Sequence, residues 1–353
     1  MRPKKKQILS RNYEVHAGQR HYEEISFLRG FSIITIVLMH LIQGYLTSCS
    51  EFVRTASSIG GAGVHVFFFC SGFGLYLSQM REPKDYFNFF NRRFWKIYVP
   101  YIVVITVSVH FPFLYTGNRI KAFLSHVLLY KMFFPEYEDS FGMQFWYVST
   151  LFQFYLLFIP LCRVKKRLGR AGFFAFSFMT SLCWWIFLAA TGLYKERIWG
   201  SFCLQYLWEF ALGMFLADWL ECGSVVCLNV FQLASISAAG LGLMAAAALR
   251  GGVLKTFNDV PAFAGYGALA LLVYYLGTAW MKKLVLDVSK ISYELYLVHI
   301  LIFSLTFTVT GAYGKLELAV GSVSLFFAAA AAYLYHGCCA KIAGNIEKIK
   351  WDW

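Results

Sequence analysis

The sequence predicts an all-α, polytopic integral membrane protein with about ten transmembrane helices and one further short amphipathic or re-entrant helix. Three observations predict it. Of 353 residues, 59% are hydrophobic and 14% charged, against roughly a quarter charged in soluble domains. Mean hydropathy is +0.56. Apolar stretches of the length that crosses a bilayer core, about 20 residues, recur along the whole chain.

In order, these stretches are 25–46, 61–80, 94–115, 144–162, 173–192, 200–219, 228–249, 258–280, 288–310 and 316–340. The first follows a basic segment. It is too long for a signal-peptide core and lacks a small-residue cleavage site, so it is expected to stay as an uncleaved span. The stretch 119–134, RIKAFLSHVLLYKMFF, is shorter and amphipathic. Gly61, Gly63, Gly72 and Gly74 suit close helix approach, as does the alanine run 328–332.

The net charge of +13 is a topology signal and does not imply nucleic-acid binding. With the N-terminus inside, the inner segments hold 21 Lys and Arg and the outer ones 9. That bias places both termini in the cytoplasm. The loop 220–227 carries no positive charge, which makes it the weakest point of the layout. The chain divides into a basic cytoplasmic segment (1–24), a transmembrane domain (25–342) and a cytoplasmic tail (343–353). Nine cysteines include no C-x-x-C and no zinc spacing, so neither a disulfide framework nor a metal is expected. There is no P-loop, H-E-x-x-H or D-x-D.

The run FLRGFSIITIVLMH (27–40) places Arg29 and His40 in an apolar span. A charge at mid-bilayer costs about 2.5–3.5 kcal/mol on insertion scales. Eleven helical residues make three turns plus about 20°, so both lie on one face, roughly 16 Å apart. On spacing alone, a structural pair and a functional pair are both open. Glu209, in LWEFALGMFLADW, is the only acid deep in the sixth stretch. Ser292, Tyr296, His299 and Phe303 fall on one helical stripe.

Five segments taken in order carry a resemblance: ISFLRGFSIITIVLMH (25–40), GAGVHVFFFCSGFGLYL (61–77), RRFWKIYVPY (92–101), FWYVSTLFQFYLLFIPL (145–161) and ISYELYLVHILIF (291–303). Together they resemble the acyltransferase-3 family of integral membrane acyltransferases, which O-acylate carbohydrates and some other acceptors. The resemblance implies that His40 is the catalytic histidine and that Arg29 partners it or orients the donor. It implies that Arg92, Arg93 and Lys96 hold coenzyme A phosphates. The family often has Arg-x-x-Arg there, and Lys96 keeps the charge but loses the bidentate fork. Trp146, Ser149, Gln153 and Tyr155 match a substrate-binding pattern W-x-x-S-x-E-x-Q-F-Y, except that Leu151 stands at the glutamate position. Glu209 is the candidate replacement, or else a structural acid. Tyr296 and His299 match the late I-S-Y-x-x-Y-L-x-H pattern. His65 has no family counterpart, and His110, His126 and His336 are expected to be structural or interfacial.

The function so implied is a membrane O-acyltransferase, foremost an O-acetyltransferase. Its donor would be acetyl-CoA or another acyl-CoA. Its acceptor would be a surface carbohydrate such as capsule or O-antigen, and its location the bacterial inner membrane. No fused esterase-like domain is expected, so the membrane part acts alone or with a separate partner. A transporter or flippase of a glycan or lipid-linked sugar is the alternative from another class, and an acyltransferase of a small molecule is the third.

Overall fold

The computed structural model describes residues 15–16, 19–20, 22–312, 314 and 316–349. Most of the basic segment 1–24 and the tail beyond Ile349 lie outside the described residues. Among the described residues the only extended pairing is a two-residue ladder, Val15–His16 against Gln19–Arg20. All else is helix and turn.

The helices are α1 (Glu23–Gly44), α2 (Glu51–Ser57), α3 (Gly63–Arg81), α4 (Tyr86–Arg93), α5 (Val99–Ser108), α6 (Arg119–Val127), α7 (Trp146–Thr191), α8 (Arg197–Gly200), α9 (Leu207–Glu221), α10 (Val230–Arg250), α11 (Asp259–Leu276), α12 (Ala279–Lys290), α13 (Ser292–Thr310) and α14 (Leu316–Ile349). The closest neighbours are α3 with α9, α10 with α11, α13 with α14, α1 with α12, and α7 with α9.

Seven of the described helices are long and apolar enough to cross a membrane. The expected count of ten therefore does not appear as ten such helices, and the difference has three local causes. The fourth and fifth stretches form one run, α7, which breaks at Gly169 (φ 71, ψ 176). That left-handed backbone suits glycine. The third stretch is divided. Pro100 has no N–H to donate, and the helix widens into a π turn over Phe94–Tyr98 between α4 and α5. The sixth is only 15 residues long as α9, preceded by irregular turns. The stretch 119–134 is, as expected, a short helix, α6, followed by a 3-10 turn at Lys131–Phe133.

The glycine expectation holds in part. A Cβ on Gly72 would run into the backbone carbonyl of Phe210, and one on Gly213 into that of Phe69, so α3 and α9 touch backbone to backbone. Gly63 packs on Ser32 and Gly61 on Met39, whereas nothing stands within 4 Å of a Cβ on Gly74. Ala328 and Ala332 are fully buried one turn apart on α14. The continuous core runs through α1, α3, α5, α7, α9 and α13 and is rich in aromatic rings. It positions the site by gripping α1 and α13.

Candidate active site

His40 lies one turn before the end of α1, and His299 lies near the middle of α13. Their rings stack nearly parallel, 5.1 Å apart at 12°. His40 Nδ1 is 2.9 Å from His299 Nε2, and His299 Nδ1 is 3.0 Å from the carbonyl oxygen of Leu295. A carbonyl only accepts, so His299 Nδ1 carries a proton. In the neutral ring its Nε2 then holds a lone pair, so His40 Nδ1 donates. The remaining nitrogen of His40, Nε2, is left with its lone pair. The chain of two bonds thus fixes both tautomers from one backbone carbonyl.

His299 is fully buried. Its ring is braced by Phe303 at 5.9 Å and Tyr296 at 6.4 Å, and the Tyr296 hydroxyl donates to the Gln144 carbonyl at 2.7 Å. The stripe Ser292, Tyr296, His299, Phe303 is buried throughout. It holds the second histidine still.

His40 lines a cavity of about 960 Å³. Its walls carry Glu51, Arg54 and Asp139 beside Tyr45, Phe113 and Tyr115. Tyr45 Oη and Ser304 Oγ meet at 2.6 Å on the same wall. Charged groups beside aromatic rings give this wall both hydrogen-bonding and stacking surfaces. The rim is fastened by Lys131, which is buried and donates to the carbonyls of Ser140 (2.9 Å) and Gly142 (2.8 Å). Burial, and then the charge of Arg197, push the Lys131 ammonium down to about 7.

Arg29 does not stand beside His40. It is exposed, and it acts electrostatically on Lys96 together with Arg92 and Arg93. The expected donor cluster is therefore a group of four cations at the other end of α1. Arg93 lies over the Phe89 ring at 5.7 Å, and its Nε is buried with no hydrogen-bond partner. Arg92 is 3.9 Å from Glu82, a loose contact.

The four residues of the fourth stretch are spread along α7. Tyr155 is buried against Phe89, on the Arg93 side. Gln153 accepts from the Cys203 amide at 3.0 Å. Ser149 is buried. Trp146 carries the Arg197 guanidinium over its ring at 5.9 Å. Arg197 is a residue that sequence reasoning missed. It sits on the four-residue helix α8 and lies within electrostatic reach of His40.

Glu209 is fully buried and pairs with His65 Nδ1 at 2.7 Å. His65 Nε2 in turn faces Asp259 Oδ1 at 4.0 Å. Leu151, at the vacant acid position, is buried among apolar neighbours. His40 is thus served by an imidazole, and the acid goes to another histidine. His126 bonds Tyr101 and Ser140, His110 faces the Thr106 carbonyl at 2.9 Å, and His336 pairs with Glu294.

A family model described as an acyltransferase domain, that of acyltransferase family 3, matches residues 22–336. The chain belongs to this family. It is an integral membrane protein and a membrane acyltransferase. Neither a curated protein nor a solved structure matches it. The match covers both histidines of the pair, the four cations and the cavity wall.

Proposed function

We propose that this membrane acyltransferase moves an acetyl group from cytoplasmic acetyl-CoA to a hydroxyl of a surface carbohydrate in the bacterial inner membrane. One observation carries the reading: the tautomer chain leaves the His40 Nε2 lone pair beside a large polar-aromatic cavity. In the proposed step, Nε2 takes the proton of the acceptor hydroxyl as the oxygen attacks the thioester carbonyl. The C–S bond then breaks, and the proton passes from His40 to the departing thiolate. His299 stabilises the imidazolium formed in between by accepting from Nδ1–H. Arg197 contributes positive charge near the developing oxyanion.

The cation cluster of Arg29, Arg92, Arg93 and Lys96 is suited to the phosphates of coenzyme A. It stands roughly 16 Å along α1 from His40, a gap that the long pantetheine arm is built to bridge. Donor and acceptor would then enter from opposite ends of α1, with both termini of the chain on the donor side.

The test is mass spectrometry and NMR of the surface glycan with and without the gene, alongside acetyl-CoA hydrolysis by purified protein. Loss of O-acetyl groups, with slow hydrolysis in vitro, is expected. Intact O-acetylation with failed glycan export would contradict the reading and favour a transporter.

A further inference from the structure

Three helices that begin in the same half of the bundle bring three ligating side chains together. His65 is the third residue of α3, Glu209 the third of α9 and Asp259 the first of α11. One donor atom from each lies within 4.8 Å of the other two. Glu209 is 0% exposed and Asp259 7%, and the His65 side chain is 15% exposed.

Its internal hydrogen bonds do not account for it. His65 Nδ1 is 2.7 Å from Glu209 Oε1 and, with that carboxylate ionised, donates to it. In a neutral ring Nε2 then carries a lone pair, and it faces Asp259 Oδ1 across 4.0 Å. Two acceptors pointing at each other call for something positive between them. Two further oxygens are buried with no partner: Glu209 Oε2 and Gln205 Oε1. Gln205 is 4% exposed, and its Nε2 is committed to Asp259 Oδ2 at 2.7 Å and the Thr256 carbonyl at 3.3 Å. Leaving such acceptors unpaired costs about 1–3 kcal/mol each, more when charged.

We infer that His65, Asp259, Glu209 and Gln205 form a binding site for a divalent first-row transition cation. Distances of about 2.0–2.2 Å from nitrogen and oxygen ligands let one ion span the 4.0 Å between His65 Nε2 and Asp259 Oδ1 at a wide angle, and a tetrahedral ion would draw the two about half an ångström closer. The Nδ1–H bond to Glu209 is the carboxylate contact that ligating histidines use to fix their tautomer. The two carboxylates balance the ion's double charge, which matters in a low-dielectric interior. The mixed nitrogen and oxygen donors favour manganese or zinc over magnesium or calcium. Gln205 and Asp259 also line a second cavity, of about 510 Å³, which supplies an entry path. Lys195 and Lys255 line that cavity as well, and among the described residues neither pairs with Asp259. The site is separate from the His40–His299 pair, and the ion would pin the starts of α3, α9 and α11 together.

The test uses the full chain, purified in detergent with any affinity tag removed and stripped with chelator. Manganese binding is read by loss of the free-ion EPR signal, zinc by competition, and thermal stability is followed in parallel. One saturable ion per chain and a higher Tm on loading are expected. His65→Ala and Asp259→Asn should each weaken binding at least tenfold, and Glu82→Gln, an exposed acid elsewhere, should leave it unchanged. Absence of saturable manganese or zinc binding in the wild-type chain would overturn the inference, whether or not the variants fold. Wild-type affinity in the His65→Ala/Asp259→Asn double variant would overturn it too, as would preferential binding of magnesium.

Discussion

His40 and His65 stand at the connected ends of α1 and α3, yet opposite chemistry holds them. His40 leans on a neutral ring, which leans on a carbonyl. His65 leans on a carboxylate, with a second carboxylate facing its far side. A carboxylate partner fixes a histidine's tautomer and ring orientation. An imidazole partner orients the ring and leaves it neutral, ready to take a proton and hand it on. His40 faces the large cavity with a free lone pair, whereas His65 has both nitrogens turned toward acids. What separates the two is access: one histidine opens on the large cavity, and the other is closed in by acids.

The comparison can be broken in several places. The largest effect is expected at His40. Removing a general base costs about 10²–10⁴ in rate, so His40→Ala and His40→Gln should both abolish detectable acylation while the protein still inserts. Near-normal acylation in well-inserted protein would move the chemistry elsewhere.

Next comes the far end of α1. Charge-assisted hydrogen bonds are worth about 1.5–3 kcal/mol, so Arg93→Ala/Lys96→Ala should weaken acyl-CoA binding at least tenfold. Titration calorimetry of the purified variant checks this. Unchanged affinity would reduce the four cations to a topology signal.

The smallest effect concerns the cavity rim. Lys131→Met strands two carbonyls and should lower stability by about 1–3 kcal/mol, read as a lower Tm. Lys131 releases its proton near pH 7 in the fold and near 10.4 when unfolded. The unfolded chain therefore binds more protons between these values, and this group makes the fold more stable as pH rises from about 7. A Tm that falls over that range in the wild type, with the fall absent in Lys131→Met, would contradict the assignment.

Much of this architecture was legible in the sequence. Apolar stretch lengths marked the helices, and a four-residue heptad-like stripe marked the buried face of α13. The count of ten is not matched by ten helices of spanning length: two stretches run on through the kink at Gly169, and two others are shortened or divided, one of them at Pro100. Arg29, Arg92, Arg93 and Lys96 were legible as cations, and α1 with the α4–α5 run brings them together. The partner of His40 was legible only as a motif residue. His299 lies 259 positions away, and no periodicity links two helices so distant in sequence. Glu209 was visible as a buried acid, but its partner was not, since His65 and Asp259 come from separate helices. Arg197 was invisible for another reason: it sits in a short outer turn and reads as an ordinary loop charge.

The central claim is that His40 acts through His299 and that Glu209 serves a different histidine. The most direct measurement is the rate of acetyl transfer by His299→Ala and by Glu209→Gln, each compared with wild type at matched folded protein. Misplacing a catalytic group costs on the order of 10² in rate. His299→Ala should lose about that much with acyl-CoA affinity kept, and Glu209→Gln should change the rate by less than about tenfold while lowering Tm. The reverse, a wild-type rate in His299→Ala and a loss in Glu209→Gln as deep as that of His40→Ala, would contradict the account.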